Sequence, residues 1–202
     1  MRLLLRNNIG DFSLTEHLDD GARIPPYATL SHTWGSGTDE VTFEDIINGT
    51  GKNKLGYEKI RFYGEQARQD GLQYFWIDTC CINKENKAEL SHAINSMFRW
   101  YHNVTRCYVF LSGMSIAPIS SNDEYDLQLQ ESDFRKHRWF TRAWTLQELL
   151  APDTVEFFSQ DRKRLGDKSS LEQQIHEITG IPKSALQGTP LAQFSVNERF
   201  HG

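Results

Sequence analysis

Four short runs constrain this chain more than any other feature: YATLS (Tyr27 to Ser31), YFWID (Tyr74 to Asp78), CYVFLS (Cys107 to Ser112) and VEFFS (Val155 to Ser159). Each is rich in β-branched and aromatic residues and nearly all apolar, without the alternation of a half-exposed strand. Strands of this kind are covered on both faces. The covering helices lie between the runs. KLGYEKIRFYGEQARQDG sets Leu55, Ile60 and Ala67 at helical spacing, with Gly71 as a terminator. AELSHAINSMFRWYHN repeats Leu90, Ile94, Met97 and Tyr101 in the same way. Alternation of strand and helix predicts an α/β domain with a mostly parallel sheet flanked by helices.

The flanks add smaller pieces. Met1 to Leu14 reads as a small N-terminal hairpin around NNIGD. ISSNDEYDLQLQESD, Ile119 to Asp133, is polar and acidic and predicts a mobile excursion. RWFTRAWTLQELLAP reads as a helix with Thr141 as N-cap and Pro152 as stop. SLEQQIHEITG forms a C-terminal helical extension closed by Gly180.

At 202 residues a single domain over 1–202 is expected. A net charge of -5 and 12% aromatic residues argue against a nucleic-acid partner and against disorder. Three cysteines, with Cys80 and Cys81 adjacent, give no disulfide framework and match no zinc spacing when taken with Cys107; no metal is expected. MRLLLRNN is too short an apolar start for a signal peptide, and no later run approaches a membrane span of roughly 20 residues. The expectation is a cytoplasmic protein without a membrane partner.

In open parallel sheets, ligands sit beyond the carboxyl ends of the strands, where strand order reverses. That rule selects SHTWGSGTDE (Ser31 to Glu40), which offers hydroxyls, His32, Trp34 and glycines that let backbone approach a ligand. It also selects DTCCINKEN, which places Asp78, Asn83 and Lys84 near the same edge. Neither GxGxxG nor GxxxxGK[ST] occurs, so no dinucleotide fingerprint or P-loop is present. Each candidate has a plainer alternative. Asp78 suits a strand-end turn, Cys80 and Cys81 suit packing, and His32 suits a satisfied structural position, since no GxSxG accompanies it. Trp76 reads as core, and Trp100 as core or interface. In RAWTLQELL, Trp144 and Glu148 stand four apart and so share a helix face, while Leu146, Leu149 and Leu150 point elsewhere. Glu148 is then either an ordinary solvated position or a placed functional group.

The ordered blocks YATLSHTWG, FWIDTCCINK and RWFTRAWTLQELLAP resemble the three sequence blocks of the fungal heterokaryon-incompatibility (HET) domain, and the resemblance covers nearly the whole chain. MRLLLRNN, the central KLGYEKIRFYGEQARQDGLQYFWIDTCCI and the closing IHEITGIPKSALQGTPLAQFSVNERF look like HET domains at the N-terminus of fungal NOD-like receptors with a NACHT ATPase and WD repeats. By that resemblance the chain is a cell-death effector of allorecognition and innate immunity. The family's last segment and the receptor module would follow Gly202. HET domains in turn look like distant relatives of Toll/interleukin-1 receptor (TIR) domains, which implies a flavodoxin-like sheet. SHTWGSGTDEVTF aligns with the first-strand loop of TIR domains, and WTLQEL with their W-C-L-x-E-L element. Trp144, Leu146, Glu148 and Leu149 are the identities in the second alignment.

In enzymatic TIR domains that element carries the glutamate that cleaves NAD, and its counterpart here is Glu148. The resemblance implies NAD as substrate with no cofactor, a pocket lined by Ser31, His32, Trp34, Gly35, Asp78 and Trp144, and a homo-oligomer as the active form. One carboxylate suffices for this chemistry. Most glycosidases need a second as acid, but nicotinamide leaves NAD as a neutral base. A carboxylate about 4 Å from the developing cation contributes at most about 4 kcal/mol at an effective dielectric near 20, roughly three decades of rate. Two other classes compete: a non-enzymatic oligomerisation adaptor, and a nucleotide sensor without turnover.

Overall fold

All four apolar runs are strands, and three further strands complete their edges. In the computed structural model, which describes residues 1–7, 10–19, 23–116, 131–190 and 193, the strands are β1 (Leu4–Arg6), β2 (Phe12–Leu14), β3 (Tyr27–His32), β4 (Tyr74–Trp76), β5 (Arg106–Leu111), β6 (Val155–Ser159) and β7 (Arg164–Asp167). They form one sheet in the order β2-β1-β4-β3-β5-β6-β7. The runs pair parallel, β3 with β4 and β5, and β5 with β6. Every residue of β3 and β6 is buried, as continuous apolar patterning requires.

The sheet is nevertheless mixed rather than mostly parallel. β1 joins β4 and β2 antiparallel, and β7 folds back antiparallel on β6. The antiparallel hairpin partners β2 and β7 follow β1 and β6 closely in the chain, as antiparallel neighbours can. The expected N-terminal hairpin forms with Leu4 opposite Leu14. Asn8 and Ile9 of its NNIGD turn lie outside the described residues, as do residues 119–130 of the expected acidic excursion.

The helices are α1 (Phe43–Asn48), α2 (Leu55–Gln69), α3 (Lys87–His102), α4 (Thr145–Leu150), α5 (Glu172–Thr179) and α6 (Lys183–Leu186). Residue chemistry sets their ends. Thr42 and Asp45 make a capping box at α1, and the Asn86 side chain accepts from the Ala88 and Glu89 amides at α3. Gly71 and Gly180 take the left-handed conformation just past α2 and α5, and α4 stops ahead of Pro152. Thr141 does not cap α4. It ends a 3-10 turn, Arg138–Thr141, and α4 begins after Trp144 with no side-chain cap. Ile94 and Leu55, read as core-facing, are exposed.

Helix α2 covers one face through Tyr63, whose ring packs on Tyr108, Phe110 and Phe158. Helix α3 covers the other through Trp100 and Tyr101 against Trp76, so both tryptophans are core. The three cysteines are free and buried. Among the described residues no helix is long and apolar enough to cross a membrane. From β3 the chain passes to β4 on one side and then returns past β3 to β5. The carboxyl ends of β3 and β5 therefore flank the switch point.

Candidate functional site

Successive strand residues face opposite sides of a sheet, so Ser31 and His32, adjacent at the end of β3, serve different environments. Ser31 faces α4. Its hydroxyl donates to the Glu148 carboxylate and accepts from Trp139 Nε1 at 2.7 Å. Glu148 is 5% exposed, on the buried side of α4 that also carries Thr145 and Leu149. The solvated alternative is thereby overturned for Glu148, and Leu149 does not point away from it. Three anchors fix α4: the Thr145 hydroxyl donates to the Trp139 carbonyl at 2.5 Å, the Cys107 thiol to the Glu148 carbonyl at 3.6 Å, and Lys168 Nζ to the Pro152 carbonyl at 2.6 Å. The last is a buried cation at a helix C-terminus, where the dipole favours it. Its burial lowers the Lys168 pKa.

Burial pushes the Glu148 carboxyl above the ordinary glutamate value, and the Asp78 charge adds to the rise. The Ser31 hydrogen bond and the charges of Arg142 and His32 oppose it without cancelling it.

On the other face a second buried acid answers differently. Glu40, 7% exposed, accepts from Lys59 Nζ at 2.6 Å and from the Gly35 amide at 2.8 Å. His32 Nε2 lies 3.4 Å from its other oxygen. That approach is electrostatic rather than a hydrogen bond, and both buried His32 nitrogens lack a hydrogen-bond partner. Burial raises the Glu40 pKa, but His32, the Gly35 amide and Lys59 outweigh it and hold the group at about 2. Lys59 arrives from α2, which comes close because residue 56 is glycine: a Cβ there would stand 2.7 Å from the Asp39 carbonyl oxygen.

At the rim, Trp34 is 45% exposed and donates from Nε1 to Asp78 Oδ2 at 2.9 Å. Lys84 Nζ sits 3.8 Å from the centre of its ring. Beside the ring opens a cleft of about 260 Å³, walled by Val41, Phe43 and Ile82.

The expected pocket thus divides. Ser31 and Asp78 act on Glu148, while Trp34 and Gly35 line the cleft, Trp34 tied back through Asp78 and Gly35 through Glu40. His32 faces the Glu40 side, although its backbone carbonyl accepts from Arg142 at 2.5 Å. Trp144 is 41% exposed at the head of α4, in a different environment from the buried acid one turn later. Sequence reasoning missed Trp139, Glu40, Lys59, Arg142 and Lys168. Only Trp139 left a signal, as a second large aromatic in the block that carries Glu148. Among the described residues no group of three or more His, Cys, Asp or Glu side chains is placed to hold a metal.

Comparison with known proteins assigns the class. Residues 27–124 match the family described as Heterokaryon incompatibility protein (HET), a span that includes Ser31, Trp34 and Asp78 and ends before Glu148. The chain belongs to the HET family. Over 98% of its length it is 52% identical to the vegetative incompatibility protein HET-E-1 of Podospora anserina, and it spans 14% of that relative's length. No solved structure matches the chain.

Proposed function

We propose that this chain is a cell-death effector of fungal allorecognition that cleaves NAD at the nicotinamide-ribosyl bond, with Glu148 as its catalytic carboxylate. The observation that carries this reading is the placement of Glu148: a buried acid of raised pKa, bonded to Ser31 beside the switch point. Perturbed acids in such places are arranged for chemistry more often than elsewhere. The parallel core order, second-first-third-fourth, supports the flavodoxin-like expectation, although β1, β2 and β7 are additions to it.

Ser31 holds one carboxylate oxygen, and the other is presented to the ribose. As the C1′–N bond breaks, its electron pair passes to the nicotinamide nitrogen, which leaves neutral. Glu148 stabilises the cation on the sugar until water adds at C1′ and releases a proton. The product is ADP-ribose, or a cyclic form when a base nitrogen takes the place of water. Cytoplasmic clustering, driven by a NACHT and WD-repeat region elsewhere in the protein, raises the activity.

The test is to incubate concentrated wild-type and Glu148→Gln protein with NAD and to quantify nicotinamide and ADP-ribose products. The amide keeps the shape and removes the charge, so a loss of about 10³ in rate is expected. Undiminished NAD consumption by folded Glu148→Gln would overturn the assignment. A second reading, the non-enzymatic adaptor, is favoured by one fact: Glu148 is so deeply buried and hydrogen-bonded that it also suits a structural acid. It predicts that a forced oligomer kills while NAD stays intact.

A further inference from the structure

Trp34 is an exposed ring that the structure takes care to immobilise. Its indole N-H is tied to Asp78, and the next residue's amide is tied to Glu40, itself clamped by Lys59. One face is already in use, by the Lys84 ammonium at 3.8 Å. An aromatic face attracts cations through its quadrupole, and most strongly when the cation is flat and poorly hydrated. The surroundings select for the same charge, since Glu44 and Glu85 line the adjoining cleft and Asp78 lies at the indole edge.

We propose that Trp34 is a platform for a planar cationic ring, of the N-alkylpyridinium class, and that Lys84 occupies the platform in the resting protein as an internal competitor. The choice of a pyridinium rests on the NAD-cleaving reading. It places the nicotinamide end of the substrate, rather than its pyrophosphate, at the acidic rim. Asp78 connects platform and acid, because the carboxylate that holds the Trp34 ring is also the one whose charge acts on Glu148. Displacing the lysine is then the first step of substrate entry.

The experiment uses 1-methylnicotinamide, a pyridinium that cannot be cleaved, and reads binding by calorimetric titration. Of the five tryptophans, Trp34 and Trp144 are exposed, so the Trp34→Leu protein supplies the background. Lys84→Met is expected to tighten binding about two- to fivefold, the value of one exposed cation-aromatic contact. Lys84→Arg puts a flatter, more weakly hydrated competitor on the ring and is expected to bind no more tightly than wild type, and Trp34→Leu to lose the saturable component. Both Lys84 variants alter a half-buried contact at the rim and leave the core untouched. The proposal is overturned if Lys84→Met binds no better than wild type, if Trp34→Leu binds equally well, or if neutral adenosine competes as strongly as the cation. Binding should be unchanged in Glu148→Gln. Cleavage lost there with platform binding intact supports both readings, whereas cleavage retained there with platform binding intact sinks only the catalytic assignment.

Discussion

Two glutamates flank the end of β3 and are buried to almost the same extent, yet their chemistry is opposite. Glu40, on the α2 side, meets a lysine, a histidine and a backbone amide, and it stays ionised down to about pH 2. Glu148, on the α4 side, is raised by its burial and further by the Asp78 charge, and the Ser31 hydroxyl that bonds it opposes the rise without cancelling it. Burial raises both carboxylates, and the outcome depends on whether the partners outweigh it. Glu40 holds the Trp34 loop against α2, while the Glu148 carboxyl is bonded to a neutral hydroxyl.

The largest expected effect is the loss of about 10³ in NAD cleavage on Glu148→Gln, and stability sharpens it. An acid whose folded pKa lies above its unfolded value makes the folded state less stable as pH rises from about 4.5 through the folded pKa. Glu148→Gln should therefore raise the melting temperature at neutral pH while abolishing activity. A fall would mean that the charge is structural.

Next comes Glu40→Gln, which strands Lys59 without its buried partner. A cost of about 3 kcal/mol is expected in urea unfolding at pH 7. Glu40 has a depressed pKa, so its contribution is complete above about pH 4.5 and is lost as pH falls toward about 2. The variant should accordingly lose most of its stability deficit at pH 2 to 3. If the deficit is the same at all pH values, the contrast between the two acids is wrong.

Ser31→Ala should cost about 1–2 kcal/mol, since Trp139 Nε1 and Glu148 both lose a buried partner. It should also move the acid limb of the pH-activity profile upward, because the hydroxyl is the largest of the influences that lower the Glu148 pKa. The smallest effect belongs to Lys168→Met. Uncapping the end of α4 should cost about 1 kcal/mol and reduce kcat without changing the affinity for 1-methylnicotinamide.

Much of this arrangement was legible in the chain. The four parallel strands were read from unbroken apolar runs, and α2, α3 and α5 from spacing and terminal glycines, because burial on both faces and helical periodicity both leave local marks. Leu55 and Ile94 misled, since apolar residues also occur on exposed helix faces. Thr141 misled because a 3-10 turn intervened before α4. At the site, Ser31, Asp78 and Glu148 were named from loop position and family resemblance. Nothing in their spacing says that Glu148 reaches across from residue 148 to bond residue 31.

The sequence by itself determined which segments become strands and helices and which loops meet at the carboxyl edge of the sheet, since those follow from patterns within a few residues. Only the tertiary structure decided that Ser31 and His32 part to opposite faces, that Glu40 finds a lysine and that Glu148 does not. The reason is electrostatic. The state of a buried acid depends on charges and dipoles brought within a few ångströms by packing, from residues that are tens of positions away along the chain.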